Sequence, residues 1–195
     1  SSMRPMTDRS KVAAVILAAG LGRRFGSPKL VAQLGGETLL SHVTRRAREA
    51  GLDPIIAVVP VGAETPARVE VVVNHDPARG LSTSLQLGIG AVPPERAALV
   101  LLVDQPTVAP AAIAAVLAAR GNRPLVAASA DGRYGPPVLI EPDAVPTVMA
   151  LSGDIGLREV LAAHPELVEA VPVPVHAPDV DTAADLDELE ARLGS

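Results

Sequence analysis

Cysteine and tryptophan are absent from this 195-residue sequence, and phenylalanine and tyrosine occur once each. The lack of cysteine excludes disulfide bonds, thiolate metal sites and cysteine nucleophiles. With so few aromatic side chains, the chain lacks the stacking platforms that bind single-stranded nucleic acid. It also has no apolar run as long as a membrane span, and no N-terminal charged head followed by an apolar core. We therefore expect a cytoplasmic protein that binds neither nucleic acid nor a membrane.

The chain is weakly acidic, with a formal net charge of −5, and its positive and negative residues are interspersed. Such a surface does not attract nucleic acid or an acidic membrane, so an anionic substrate would need a local group of basic side chains. Hydrophobic residues make up 48% of the chain, but aromatic residues only 1%. A core of Val, Leu, Ile and Ala suits parallel strands that are covered by helices.

Short apolar runs alternate with segments of helical spacing along the chain. The first predicted elements are strands at 12–18, 54–59, 69–74 and 98–103 and helices at 38–50, 81–89 and 110–120. The later ones are an excursion over the sheet at 134–140, a helix at 154–163, a strand at 170–175 and a helix at 182–193. A capping box of Thr182 and Asp185 marks the start of the last helix. The strand–loop–helix order predicts one α/β domain over residues 12–195, with a single doubly wound, mostly parallel sheet flanked by helices. Residues 1–11 are expected to be a disordered or tag-derived lead-in.

A glycine-rich segment follows the first predicted strand and carries three basic residues. Gly20 and Gly22 allow backbone N–H groups to approach a phosphate, and Arg23, Arg24 and Lys29 supply positive charge beside them. The segment lies at the carboxyl end of the strand, where open α/β sheets bind ligands. Its spacing fits neither a dinucleotide fingerprint nor a P-loop. A phosphate-binding loop is the interpretation that we favour over an ordinary turn with exposed arginines.

Aspartates occur at two places where the predicted fold would bring them beside a ligand. Asp104 directly follows the strand at 98–103, although Asp before Gln-Pro also starts turns well. Asp179 and Asp181 precede the last helix and are not needed for its cap, which Thr182 provides. Carboxylate oxygens suit Mg²⁺, which takes one or two of them from a protein. The four histidines lack the spacing of a metal site, and we expect them on the surface or on helix faces.

The glycine-rich segment resembles the signature loop L-A-x-G-x-x-x-R-x-G-x-x-K of the glycosyltransferase-A-like nucleotidyltransferases. The matching residues are Leu17, Ala18, Gly20, Arg24, Gly26 and Lys29. The third position, Ala19, is similar to that of the molybdenum cofactor cytidylyltransferases and their MobA-like relatives. The family also has an aspartate after its fourth strand and a late D-x-D-T-x-x-D-L, which Asp104 and residues 179–186 resemble. Residues 80–85 and 151–158 are similar to its G-[ML]-x-x-S-[LV] and L-x-G-D-x-G-x-R segments.

The resemblance implies a glycosyltransferase-A-like fold and a Mg²⁺-dependent transfer of CMP from CTP to molybdopterin, with release of pyrophosphate. Asp104 and Asp181 would bind the metal, with Asp179 as a third candidate, and the catalytic group would be Arg24, Lys29 and Asp104. The nucleotide would be bound by Leu17, Ala18, Ala19, Gly20, Leu21, Gly22, Arg23, Lys29, Gly80, Ser82 and Ser84. The acceptor side would comprise Gly135, Pro137, Gly153 and Asp154. The family usually has G-H-P where this chain has Gly-Pro-Pro. The implied partners are the two small-molecule substrates and a molybdoenzyme that receives the product.

Three alternatives remain open. The same chemistry would serve a guanylyl- or adenylyltransferase that acts on another small phosphorylated acceptor. A nucleotide-binding module without turnover is a second alternative, although two carboxylate groups and Lys29 exceed what binding alone requires. A dinucleotide-binding oxidoreductase is the third, and it is disfavoured because Phe25 stands where its fingerprint needs a glycine.

Overall fold

The structure is a computed structural model that describes residues 11–20, 30, 32–153 and 155–194. Most strands within these residues are short and apolar, as the sequence predicts. In chain order the strands are β1 (Val12–Leu17), β2 (Gln33–Leu34), β3 (Glu37–Thr38), β4 (Ile55–Pro60), β5 (Glu70–Asn74), β6 (Ala97–Leu102), β7 (Leu125–Ala130), β8 (Arg133–Ile140) and β9 (Val168–Pro172).

The helices of the described residues lie between these strands and after the last of them. They are α1 (Leu39–Glu49), α2 (Leu81–Gly90), α3 (Pro110–Ala118), α4 (Val145–Met149), α5 (Leu157–Ala163) and α6 (Ala183–Leu193). Thr38 begins α1 by accepting a hydrogen bond from the Ser41 N–H at its Oγ1 (3.2 Å), and the chain leaves the helix through Gly51 with a positive φ of 75°. Within the described part of the chain, no helix has both the length and the apolar character needed to cross a bilayer.

One sheet joins seven of the described strands in the order β5-β4-β1-β6-β8-β7-β9, and β2 and β3 form a separate hairpin. The pairs β4–β5, β1–β4, β1–β6 and β7–β9 are parallel. Only β8 runs against its neighbours, since its pairs with β6 and β7 are antiparallel. The predicted mostly parallel sheet flanked by helices is therefore confirmed.

Alternate residues of the central strands face two separate hydrophobic layers. In β6, Leu99 and Leu101 belong to the layer that α1, α3 and α6 cover, whereas Ala98 and Val100 belong to the layer beneath α2, α4 and α5. Both sets are nearly inaccessible to solvent. Burial on both faces explains why these strands read as continuous apolar runs in the sequence.

The prediction of an excursion over the sheet at 134–140 is wrong, because β8 lies inside the sheet between β6 and β7. Residues 138–140 pair with both neighbours, and residues 133–135 pair with β7 alone. The register shifts between Ala127 and Ala128, opposite Pro136 and Pro137. The two residues that lack an N–H donor thus fall where the ladder is interrupted, so the strand tolerates them.

Two late boundaries also differ from the prediction. The helix expected at 154–163 begins at Leu157, because Gly156 forms its cap and donates its N–H to Oε2 of Glu159 (2.9 Å). The strand expected at 170–175 is β9, which starts at Val168 and ends at Pro172.

Candidate active site

A cavity of about 300 Å³ lies where β1 and β6 end. Leu17 and Leu102, the last residues of these strands, line it together with Asp104. Helix α2 contributes Leu81 and Leu85, and α5 forms part of another wall. Because β1 and β6 are parallel neighbours, their carboxyl ends meet at one edge of the sheet, the position at which open α/β folds bind ligands. The structure thus brings together Leu17 and Asp104, two residues that the sequence predicts for the site.

The two aspartate segments, which are far apart in the sequence, lie next to each other at this cavity. The Val180 N–H donates to the carbonyl oxygen of Asp104 (2.7 Å). Next to Asp104, the buried Gln105 donates from Nε2 to Oδ1 of Asp179 (2.8 Å). Asp104 and Asp179 both line the cavity, and Oδ1 of Asp104 is shielded from solvent. This arrangement concentrates negative charge beside the end of β6.

The predicted capping box fixes the backbone just beyond Asp179. Oδ2 of Asp185 accepts from the N–H groups of Asp181 (2.9 Å) and Thr182 (2.8 Å), and Oγ1 of Thr182 accepts from the Asp185 N–H (3.2 Å). The box therefore holds Asp181 at the start of α6, two residues after the aspartate that lines the cavity. Its prediction from the sequence is confirmed.

Only the first part of the glycine-rich segment lies within the described residues. The Ala18 N–H donates to the carbonyl oxygen of Val58 (2.8 Å), which ties the chain to β4 immediately after β1. Ala19 is 2% exposed, whereas Gly20 faces solvent. The predicted site residues that lie outside the described residues are Leu21, Gly22, Arg23, Arg24, Lys29 and Asp154.

The predicted nucleotide-side serines make hydrogen bonds within the protein. Gly80 precedes α2 with a φ of 106°, a conformation that favours glycine. Ser82 donates from Oγ to the carbonyl oxygen of Gly153 (2.7 Å). Oγ of Ser84 accepts from Nδ2 of Asn74 (2.9 Å). Ser82 therefore links α2 to a segment predicted for the acceptor side, and a nucleotide contact by either serine stays a prediction.

On the acceptor side, Gly135 lies against the imidazole ring of His176. A Cβ built on Gly135 would lie 3.0 Å from Cε1 and 3.1 Å from Nδ1 of that ring. Gly135 also lines the 300 Å³ cavity, and the buried Pro137 lines a smaller one next to His176. His176 lies in the loop after β9 and is partly exposed, and its ring packs against β8.

Comparison with known proteins places this geometry in a family. A family model described as the MobA-like NTP transferase domain matches residues 14–168. The chain belongs to this family. It is a nucleotidyltransferase of the MobA-like type, and the matched residues include both the segment after β1 and Asp104.

Individual relatives of this MobA-like chain match it over almost its whole length. Nicotine blue oxidoreductase of Paenarthrobacter nicotinovorans is 32% identical over 199 residues, which cover 94% of this chain and 96% of that protein. A homologue of Mycobacterium tuberculosis Rv0371c from Mycobacterium sp. strain JC1 has a crystal structure with a TM-score of 0.84 and 28% identity, covering 95% and 98% of the two chains. Rv0371c in complex with manganese has a TM-score of 0.79 and 26% identity, covering 93% and 98%.

The donor set of the MobA-like site fits a hard divalent cation. Asp104 and Asp179 offer carboxylate oxygens at one cavity, with Asp181 two residues further on. Within the described residues, no group of three or more acidic, histidine or cysteine side chains could hold a metal on its own. A site with one or two protein carboxylates is typical of Mg²⁺, which completes its shell with substrate phosphates and water.

Several residues that shape the site were missed in the sequence. Asn74 is 2% exposed at the end of β5, where it bonds to Ser84 and accepts from the Asp76 N–H at Oδ1 (2.9 Å). Asn is depleted from strands, so its place after an apolar run was a usable signal. Gln105 and Arg158 each stand inside a segment that carried the family resemblance, yet neither was assigned a role.

Proposed function

We propose that this MobA-like transferase moves CMP from CTP to molybdopterin and releases pyrophosphate. The observation that carries the proposal is the meeting of Asp104 and Asp179 at the cavity where β1 and β6 end. Leu17 lines that cavity, and the glycine-rich segment follows it directly in the sequence. This segment carries the basic residues expected for binding a triphosphate. The choice of CTP rests on Ala19, the position at which the chain is similar to cytidylyltransferases.

The proposed roles divide the site into a metal half and a phosphate half. Asp104 and Asp181 would hold Mg²⁺ or Mn²⁺, with Asp179 beside them. When bound, the ion would neutralise negative charge on the phosphates. Arg24 and Lys29 would hold the triphosphate, and backbone N–H groups of the segment from Ala19 onward would complete its cradle. The manganese complex of Rv0371c supports a divalent ion in a relative of this chain.

The transfer itself needs little proton chemistry from the protein. An oxygen of the acceptor's terminal phosphate attacks the α-phosphorus, the bond from that phosphorus to the bridging oxygen breaks, and pyrophosphate leaves with the electron pair. A phosphate nucleophile is already ionised near neutral pH, so a general base is not required. Catalysis would then consist of positioning and charge stabilisation, as in other phosphoryl transfers.

Other acceptors and bases remain as alternatives within the same chemistry. A guanylyl- or adenylyltransferase that acts on a different phosphorylated acceptor would use the same carboxylates and loop. A module that binds nucleotide without turnover would need fewer of these carboxylates and basic residues. The proposed product would pass to a molybdoenzyme, whose identity depends on the acceptor.

An oxidoreductase is the second candidate, and one observation favours it. The relative from P. nicotinovorans is named for an oxidation–reduction reaction and matches this chain almost from end to end. Phe25 in place of the third fingerprint glycine argues against a dinucleotide site of the usual kind. We therefore rank nucleotidyl transfer first.

Thermal unfolding with a panel of nucleotides tests the proposal. The panel contains CTP, GTP, ATP, UTP and NADH, each with Mg²⁺, with Mn²⁺ or with a chelator. A ligand at a hundred times its dissociation constant stabilises the folded state by about 2.7 kcal/mol, which gives a clear rise in Tm. We expect the largest rise with CTP and a divalent metal, and a smaller one when the metal is chelated.

The other outcomes of this panel separate the candidates. A preference for GTP or ATP would keep the chemistry and change the product. A rise with NADH alone would favour the oxidoreductase, and no rise with any triphosphate would contradict the proposal. If CTP is preferred, pyrophosphate release in the presence of molybdopterin then tests the acceptor.

A further inference from the structure

A second cavity, of about 540 Å³, adjoins the candidate active site. It lies between the turn that joins β7 to β8, helix α5 and the loop that follows β9. Arg158 of α5 lines both cavities, and Gly135, which lines the first, packs against His176, which lines the second. A ligand in the first cavity would therefore reach the second across a short boundary.

Two arginines without partners point to the kind of ligand this cavity takes. Arg133 and Arg158 both line it, and within the described part of the chain neither guanidinium has an ion pair or a hydrogen bond. The contrast is Arg120, which forms two hydrogen bonds with the carboxylate of Glu141 (2.7 and 3.1 Å). Asp131 is the carboxylate among the lining residues, so the side chains around the cavity carry a net positive charge. In a chain with a net charge of −5, such a local excess favours an anion.

Arg133 and Arg158 are exposed to solvent, whereas His176 adds a shielded polar atom to the lining. Its Nε2 lies 3.0 Å from the carbonyl oxygen of Arg133 and donates to it, so the ring is held against β8. Nδ1 is shielded from solvent and has no hydrogen-bond partner among the described residues. Gly135 allows this approach, because a side chain there would meet the ring. Tyr134 also lines this cavity.

We propose that this second cavity is an anion subsite, in which Arg133 and Arg158 hold a phosphate or carboxylate group at the far end of the acceptor. The assignment to the acceptor rests on the proposed function, since the attacking phosphate of that acceptor would occupy the first cavity. Guanidinium groups suit both anions, because their N–H donors match two oxygens of either group. The substrate class that follows is an acceptor with anionic groups at both ends. This class favours the other phosphorylated acceptors of the same chemistry over molybdopterin, whose single phosphate would be the attacking group.

The fluorescence of Tyr134 gives a direct test. The chain has one tyrosine and no tryptophan, so its near-ultraviolet emission comes from the wall of this cavity. The probes are inorganic phosphate and malonate, titrated at constant ionic strength with chloride as the reference anion. We expect a saturable change with at least one probe, whereas collisional quenching would rise linearly. The probe that saturates distinguishes a phosphate site from a carboxylate site.

Matched variants separate site binding from nonspecific effects. Arg133→Gln should weaken the saturable binding about tenfold, the change expected for one charge-assisted hydrogen bond, and Arg158→Gln should do the same. Arg68→Gln is the control, because Arg68 is an exposed arginine beside the opposite edge strand and should leave the binding within twofold of the native protein. The ring ¹⁵N signals of His176, assigned with His176→Gln, should shift over the same titration.

The outcomes also separate this inference from the proposed function. Linear quenching in all four proteins, with no shift of the His176 signals, overturns the subsite whatever the nucleotide panel shows. Saturable anion binding that depends on Arg133, in a protein that binds no triphosphate, keeps the subsite and overturns the transfer reaction. For an acceptor that turns over, Arg133→Gln should raise KM about tenfold and change kcat less than twofold. An unchanged KM would overturn the assignment to the acceptor.

Discussion

At the residue scale, the carboxylates of the candidate site depend on backbone contacts between distant parts of the chain. The carbonyl oxygen of Asp104 accepts from the Val180 N–H, and Gln105 reaches from the next position to Asp179. These bonds place the end of β6 beside the segment that leads into α6. A change to one carboxylate can therefore remove charge while the backbone that presents it stays in place.

Asp104→Asn tests the role of this carboxylate with almost no change in shape. We expect turnover to fall by about 10²–10³, the scale for the loss of one preorganised electrostatic group. Asp187→Asn is the matched control, because Asp187 is an exposed residue of α6, and its turnover should stay within twofold. The measurement is the rate of pyrophosphate release at limiting and at saturating Mg²⁺. A full rate for Asp104→Asn at limiting Mg²⁺ would exclude Asp104 from the metal site.

The same assay tells apart the two aspartates before α6. Asp181 is the metal ligand that the family resemblance implies, whereas Asp179 is the one that lines the cavity. We compare the turnover of Asp179→Asn with that of Asp181→Asn. The variant that loses more turnover identifies the carboxylate that acts with Asp104.

At the element scale, helix α2 approaches the sheet at Gly88. A Cβ on this residue would lie 2.5 Å from Cγ1 of Val15 and 3.0 Å from Cγ2 of Val58. Both valines are fully buried in central strands, so neither can move away easily. The absence of a side chain at Gly88 is what lets α2 cover β1 and β4 and present its N-terminus to the cavity.

Gly88→Ala should therefore destabilise the protein, although alanine is the better helix former. Overpacking of a well-filled core costs about 1–3 kcal/mol, more than the gain in helix propensity of roughly 1 kcal/mol. Gly90→Ala in the same helix is the control, since its Cβ would meet nothing within 4 Å and the change should be neutral or stabilising. Chemical denaturation of both variants measures the difference. Equal free energies of unfolding would show that α2 shifts to accept the methyl group.

Elements of strong local pattern could be predicted from the sequence, and β8 could not. The strands predicted at 12–18 and 98–103 agree with β1 and β6 to within one residue, and the helix predicted at 38–50 agrees with α1 equally well. Apolar runs and caps specify these elements locally. Pro136 and Pro137 made β8 look like an excursion, since the sequence does not reveal that both fall where the pairing shifts register. The position of β8 in the sheet depends on its pairing with β6, which is distant in the sequence.

Residues of the candidate site that belong to a sequence motif could be predicted. Residues whose place depends only on packing could not. Asp104 was predicted from its place after an apolar run, and it lines the cavity, while its role at a metal stays a prediction. Asn74 and His176 were missed, because their contacts with Ser84 and Gly135 join segments that lie 10 and 41 positions apart in the chain. Contacts between such distant segments depend on the tertiary fold, which a single sequence does not reveal.

At the scale of the whole molecule, the candidate site is assembled from both ends of the described chain. One hydrophobic layer contains Val12 of β1 and Leu189 of α6, so the first strand and the last helix share a core. Asp104 and Asp179 line one cavity at the end of the sheet where β1 and β6 finish. A ligand that binds there contacts segments that separate when the protein unfolds, so its binding energy should add to global stability.

Native-state hydrogen exchange tests this coupling. The amides of Val15 and Ile16 lie in the middle of β1 and should exchange only through global unfolding. Saturation with the preferred nucleotide and Mg²⁺ at a hundred times the dissociation constant should slow them about 100-fold, which corresponds to about 2.7 kcal/mol. The exposed turn at Gly62 is the internal control, because its amide exchanges by local opening and should not slow.

Chelation of the metal and the Asp104→Asn variant should each remove most of the slowing at β1, because metal and nucleotide stabilise the same state together. If the β1 amides slowed equally without metal, the nucleotide would bind independently of the carboxylates, and their proposed metal role would be wrong. If they did not slow at all, while the turn exchanged as before, no ligand of the panel would bind the folded state preferentially. Both aspartate segments would then need a structural explanation, as partners that join β6 to α6.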